Sequence, residues 1–240
     1  MEAEHLAGPP CAQIEREQEL PAALAGLGAG SGRPVLVLVG GAGGMSDADR
    51  SGMEDVFREW LLPVLERLGA AVVDGATDTG VMRLSGRARR TAGAGFPLIG
   101  VAAAGTVRLP DRPQSDGAEL EPGHTGVVVV PGTAWGDESP WLATVARYLA
   151  GDWPSVTLVV NGGETTFRDI ANSMADRRPV IVVDGTGRTA DLIARAATEP
   201  AATCGDDLRP AAIAGSSLVQ VIPLADPAAL AAAVEASLTR

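Results

Sequence analysis

The residues of this chain best suited to chemistry sit in glycine-rich turns. Three of these are Gly40-Gly41-Ala42-Gly43-Gly44, Asn161-Gly162-Gly163-Glu164-Thr165-Thr166 and Gly185-Thr186-Gly187-Arg188. Each follows an apolar run and leads into a helical pattern. Such turns present unpaired backbone N–H groups and the positive end of a helix dipole, an arrangement suited to phosphate. Thr165 and Thr166 can cap the helix that follows, and Arg188 or Arg83 would supply positive charge. Arg83 belongs to a fourth run, Asp78-Thr79-Gly80-Val81-Met82, in which it stands one turn into a helix. Gly105 and the pair Gly132-Thr133 close two further apolar runs. Around Gly105 the small residues leave room for a ligand ring or ribose, or simply for another loop. None of these turns follows G-x-G-x-x-G or the Walker spacing, so neither fingerprint applies. A tight turn alone would account for the first run, though four glycines exceed what a turn needs.

Other reactive types are few. The 19 basic residues are all arginine. The absence of lysine excludes a P-loop lysine, a Schiff base with pyridoxal phosphate and a lysine general base. His124 has no serine, cysteine or carboxylate motif beside it and reads as structural more readily than catalytic. Asp74 closes a strand pattern, where it either mimics the ribose-binding acid of a dinucleotide fold or is an ordinary turn residue. Trp135, in a loop, is placed to stack on a base, although three more tryptophans occur elsewhere.

The elements that must position these groups alternate. Val35–Val39, Ala70–Asp74, Phe96–Val101, Val127–Val130, Val156–Val160, Val180–Val183 and Leu218–Ile222 read as strands. Helical spacing separates most of them, as in Met53-Val56-Phe57-Trp60-Leu61-Val64 and in Phe167-Ile170-Ala171-Met174. Ser46 and Asp226 are the expected N-caps, and Pro63 is expected to distort its helix without dividing it. Residues 107–122 read as a long irregular loop. The expected fold is α/β, a Rossmann-like three-layer sandwich with a mostly parallel central sheet. Residues 1–32 read as a flexible N-terminal segment, and residues 33–240 as a single nucleotide-binding α/β domain.

A formal charge of −11 argues against nucleic acid and anionic membrane as partners. It leaves a small phosphorylated ligand open, because local dipoles and a few arginines act inside a cleft. Cys11 and Cys204 lack metal-like spacing and read as reduced thiols, and the N-terminus is acidic rather than signal-like. The expected location is cytoplasmic.

In order and spacing, these pieces resemble the SLOG superfamily, in the branch found at the N-terminus of melastatin-type TRP channels and as free-standing prokaryotic proteins. The resemblance rests on Gly40-Gly41-Ala42, Asp78-Thr79-Gly80-Val81-Met82, Leu98-Ile99-Gly100-Val101 and Pro122-Gly123-His124-Thr125. It continues through Gly132-Thr133, Leu158-Val159-Val160-Asn161-Gly162-Gly163 with Thr166, and Val182-Val183-Asp184-Gly185-Thr186-Gly187-Arg188, spanning about residues 35–196. It implies a Rossmann-like fold that binds a nucleotide or nucleotide-sugar such as ADP-ribose, as a sensor and without a further cofactor. The expected partner is that small molecule, with a homo-oligomer or an effector protein left open. More distant relatives are phosphoribohydrolases whose Pro-Gly-Gly-x-Gly-Thr-x-x-Glu motif cleaves N-glycosidic bonds. Here Asn161 stands for the proline, Thr165 for the third glycine and Asp169 for the acid, one methylene shorter. Cleavage is therefore the alternative function, with Asp169 or Glu164 as the group that would stabilise charge at the sugar.

Overall fold

The computed structural model describes residues 8–41, 45–109, 116–199 and 207–240. Among them, eight strands form one sheet in the order β1-β5-β4-β3-β2-β6-β7-β8. They are β1 (Cys11–Gln13), β2 (Val35–Gly40), β3 (Ala71–Asp74), β4 (Leu98–Ala103), β5 (Gly126–Val130), β6 (Ser155–Val160), β7 (Val180–Asp184) and β8 (Val219–Pro223). Every pairing is parallel, so the sheet is wholly rather than mostly parallel.

The strand sequences explain the layers. A parallel strand covered on both faces needs apolar residues at successive positions. In β2, Val35, Val37 and Val39 enter one core while Leu36 and Leu38 enter the other. The first core is completed by α1 (Leu20–Gly26), α5 (Ser139–Ala150), α6 (Glu164–Ala175), α7 (Arg188–Thr198) and α8 (Arg209–Ala214). The second is completed by α2 (Asp47–Val56), α3 (Leu62–Leu68), α4 (Gly80–Ala92) and α9 (Pro227–Leu238). This is a Rossmann-like, doubly wound α/β fold.

Ser46 caps α2 by accepting from the Asp49 N–H at 3.1 Å, and Asp226 caps α9 by accepting from Ala229 at 3.0 Å, as expected. Between α2 and α3 the helix widens into a π turn at Phe57–Leu61, with the Leu62 N–H bonded to the Phe57 carbonyl. Pro63 has no N–H for the carbonyl four residues back, and the wider turn accommodates that loss without dividing the helix.

Two expectations are corrected. Residues 8–32 are built into the fold: β1 pairs with β5, and Ile14, Leu20 and Leu24 are buried. A three-residue strand is too short to leave a periodic signal. In α6 the buried residues are Thr166, Phe167, Ile170 and Ser173, while Ala171 faces out. The connection after α7 contains the short helix α8. The loop after β4 folds back on the β3–α4 turn through a Thr77–Leu120 bridge; its residues 110–115 lie outside the described residues.

One topological feature positions the site. From β2 the chain winds outward through β3, β4 and β5, then returns to β6 on the other side of β2 and winds the opposite way. In open parallel sheets the crevice beyond the carboxyl ends of such neighbouring strands is where ligands bind.

Candidate functional site

A cavity of about 260 Å³ occupies that crevice. It is lined by Gly40 and Gly41 after β2, Gly75 and Thr77 after β3, Gly163 to Thr166 at the start of α6, and Arg188 at the start of α7. Gly40 shows why the first turn begins with glycine. A Cβ there would lie 2.0 Å from the Val160 carbonyl oxygen, so only glycine lets β2 and β6 end side by side.

Asn161 fastens the second turn to the third. It is buried, with φ at 59°, in the left-handed region that asparagine tolerates better than other non-glycine residues. Its N–H donates to Thr186 Oγ1 at 2.8 Å and its Nδ2 donates to the Thr186 carbonyl at 2.6 Å, while its Oδ1 accepts from the Gly162 N–H at 2.7 Å. From the other side, Thr189 donates its hydroxyl to the Gly163 carbonyl at 3.1 Å. The turns are thereby held so that the Arg188 guanidinium crosses Gly163, with Nη2 3.2 Å from where a Cβ on that glycine would be. Proline, restricted to φ near −65°, could not replace Asn161 in this turn.

The third turn itself is occupied by the protein. The N–H groups of Gly185, Thr186 and Gly187 all donate to Asp191 Oδ1, at 2.9, 3.1 and 2.9 Å. This carboxylate fills the anion nest that the glycines create. Gly187 is therefore a corrected expectation, and Arg188 is the part of its turn that reaches the cavity.

The remaining predicted residues divide. Thr79, Gly80 and Arg83 line a second recess of about 210 Å³, which shares Gly41 with the first and also carries Arg50 and Arg87. Arg83 holds Asp78 at 2.8 Å. Gly105 and Thr133 face each other, since a Cβ on Gly105 would meet Thr133 Cα at 2.7 Å. The space at Gly105 thus admits another loop and not a ligand. Thr133 donates its N–H to Asp137 at 2.9 Å, and Gly132 lines a shallow groove with Arg168. Gly162 shapes its turn, with a Cβ site 2.8 Å from Thr166 Oγ1. Thr166 accepts the Gly163 N–H at 3.1 Å, where a simple cap by Thr165 or Thr166 was expected. Ala42, Gly43 and Gly44 lie outside the described residues.

Trp135 lines the main cavity and is 56% exposed, a position from which its ring can cover a ligand. Glu138 and Asp169 line the same cavity. Asp169 accepts the Ser139 hydroxyl, and Glu138 accepts the Gly136 N–H at 2.9 Å. Burial pushes the Asp169 carboxyl up to about 7 against the pull of the Ser139 bond, with the Glu138 charge adding to the rise. Burial likewise raises Glu138. No sequence motif marks Glu138, since it approaches Asp169 only because α5 and α6 pack together. Glu164, the other candidate acid, has a side chain 74% exposed and is bound by Arg209. That bond lowers its carboxyl.

His124 and Asp74 belong to a different, buried assembly. His124 Nε2 lies 2.6 Å from Asp74 Oδ1, and Nδ1 lies 3.2 Å from Glu121 Oε2. Burial alone would depress the imidazole, but the Asp74 charge and the bonds to Asp74 and Glu121 raise it to about 10. Asp74 also accepts from Ala76 and Ser85, at 2.9 Å each, so it braces the β3–α4 turn instead of meeting a ribose. His124 is structural.

A wholly parallel, doubly wound sheet with a glycine-lined cavity at its switch point defines a Rossmann-like α/β protein. The family model described as "SLOG in TRPM, prokaryote" matches residues 33–232, and the chain belongs to that family. It is 28% identical over 189 residues to mouse transient receptor potential cation channel subfamily M member 2, which covers 62% of this chain and 12% of the channel. It is 27% identical over 175 residues to human subfamily M member 6, covering 60% of this chain and 9% of that one. The chain thus spans only about an eighth or less of these channels. The solved X-ray structure of TM1055 superposes with a TM-score of 0.50 at 20% identity, covering 84% of this chain and 99% of that one, a likeness in fold. Among the described residues no helix is long and apolar enough to cross a membrane.

Proposed function

We propose that the cavity binds a nucleotide derivative of the ADP-ribose or NAD class and that the protein acts as a sensor of it. The observation that carries this reading is the meeting of Gly41, the Gly163–Thr166 helix start and Arg188 in one cavity at the switch point. Phosphate would lie between the α6 N-terminus and the Arg188 guanidinium, where dipole and charge act together. Trp135 would cover the base or ribose. The cavity is at the small end for ligand sites, and the recess sharing Gly41 gives a longer ligand somewhere to continue, toward Arg50, Arg83 and Arg87. Calorimetric titration with a panel of AMP, ADP-ribose and NAD tests the reading: saturable binding of at least one supports it, and none binding sinks it.

A second reading is hydrolysis of an N-glycosidic bond. Asp169 favours it, as an acid reached through the cavity, whereas the Glu164 side chain is largely exposed and held by Arg209. Incubation with AMP and NAD separates the two, because steady release of free base belongs only to hydrolysis.

A further inference from the structure

The cavity carries more acid than an anion site should. Its charged lining residues are Glu138, Glu164, Asp169 and Arg188. Glu164 is neutralised from outside by Arg209. The other two carboxyls come from separate elements, one just before α5 and one in the second turn of α6. Among the described residues neither forms an ion pair. Their bonds are the Ser139 hydroxyl on Asp169 and the Gly136 N–H on Glu138. The charged groups facing the pair are Asp137 beside Glu138, Arg168 beside Asp169, and Arg188 across the cavity. Arg168 lies over Gly136, its Nη1 2.9 Å from where a Cβ there would be. With both carboxyls ionised, a phosphate entering beside Arg188 would meet the charges of Glu138 and Asp169, with Asp137 adding to them and Arg168 offsetting one, in a setting where water screens them weakly.

We propose that Glu138 and Asp169 share one proton at neutral pH, so that Asp169 stands as a neutral acid and donates a hydrogen bond to an acceptor atom at the non-phosphate end of the ligand. The inference rests on the reading of this cavity as the nucleotide-derivative site. It narrows the ligand to a phosphate ester whose other end offers a ring nitrogen, a carbonyl or an ether oxygen. Ser139 gives its hydroxyl to Asp169 Oδ1, which leaves Oδ2 to carry the proton. The upward shifts of both carboxyls agree with this placement. An arriving phosphate adds negative charge, raises Asp169 further and draws in a proton from solution above about pH 7.

Carbon-13 carboxyl NMR of the ligand-free protein tests the shared proton independently of any ligand. Asp169, assigned through Asp169→Asn, is expected to titrate near 7, and Glu138→Gln to lower that midpoint by about one unit or more. An Asp169 midpoint near the ordinary ~4, or one unmoved by Glu138→Gln, overturns the proposal. The donor role is tested by titrating ADP-ribose at pH 8 in buffers of different ionisation enthalpy. Proton uptake is expected with the parent protein and not with Asp169→Asn. The asparagine, which keeps a donor, should bind at least about fivefold tighter than Asp169→Ala. Binding without proton uptake, or equal binding by the two variants, rejects the donor while leaving the nucleotide reading intact. If ADP-ribose does not bind at all, the donor role falls together with the function it rests on.

Discussion

Asn161 and Thr186 join two glycine turns that are 25 residues apart, through two hydrogen bonds of 2.8 and 2.6 Å. Because Arg188 follows Thr186 by two residues, this joint also fixes where its guanidinium crosses the start of α6. One buried asparagine in a left-handed conformation thus links the backbone of α6 to the charge supplied by α7.

Replacing Asn161 should therefore affect stability and binding together. Asn161→Ala keeps the backbone bond but removes the side-chain bonds to the Thr186 carbonyl and the Gly162 N–H, and it places a less tolerant residue at positive φ, at a cost of about 2–4 kcal/mol in urea unfolding. Asn161→Gly keeps the conformation and should lose less. Equal losses would mean that the left-handed turn contributes nothing.

Gly163→Val should act on the ligand alone. Gly163 has extended backbone, and the atoms nearest its Cβ site belong to the Arg188 guanidinium. The variant should melt within a few degrees of the parent yet lose the thermal shift that saturating ADP-ribose gives. That shift corresponds to about 2.7 kcal/mol at a hundredfold excess over Kd. A variant that keeps it removes Gly163 from the site.

Gly40→Ala should behave differently, because its Cβ would strike the Val160 carbonyl at 2.0 Å. Backbone cannot yield there without parting β2 from β6, and a loss of about 3 kcal/mol or more is expected. Parent-like chemical denaturation would contradict the close approach of the two strands.

His124 gives a pH dependence. Its folded pKa of about 10 lies above the unfolded value near 6.5. Its contribution is therefore fully present below about 6.5 and is lost as pH rises through 10. His124→Gln removes the positive charge facing buried Asp74, which keeps only its neutral donors Ala76 and Ser85, and should cost about 3–5 kcal/mol at pH 6. The variant should also lack the parent's decline in melting temperature between pH 7 and 10. An identical decline in both would assign it to other groups.

The fold was legible because β2, β5 and β7 carry unbroken aliphatic runs and β6 one interrupted only by Thr157, each followed by a turn signal. Helix ends marked by Ser46 and Asp226 were legible for the same local reason. What escaped depended on contacts between distant segments. Glu138 and Asp169 line one cavity only through the packing of α5 on α6, and His124 meets Asp74 across 50 residues. The glycines misled in two places, Gly187 and Gly105. In one an internal carboxylate takes the N–H groups, and in the other a neighbouring loop takes the space. Sequence spacing records that the backbone must turn or approach closely, but not what it approaches. The pair of turns around Gly41 and Gly163 did come together as the pattern suggested.

In the proposed site, Arg188 and the α6 N-terminus hold the phosphate of a nucleotide derivative. Isothermal titration of ADP-ribose into the parent and into Arg188→Ala tests it most directly. One site per chain is expected in the parent, and at least about tenfold weaker binding in the variant. Absence of binding to the parent, or equal affinity in both proteins, would contradict it.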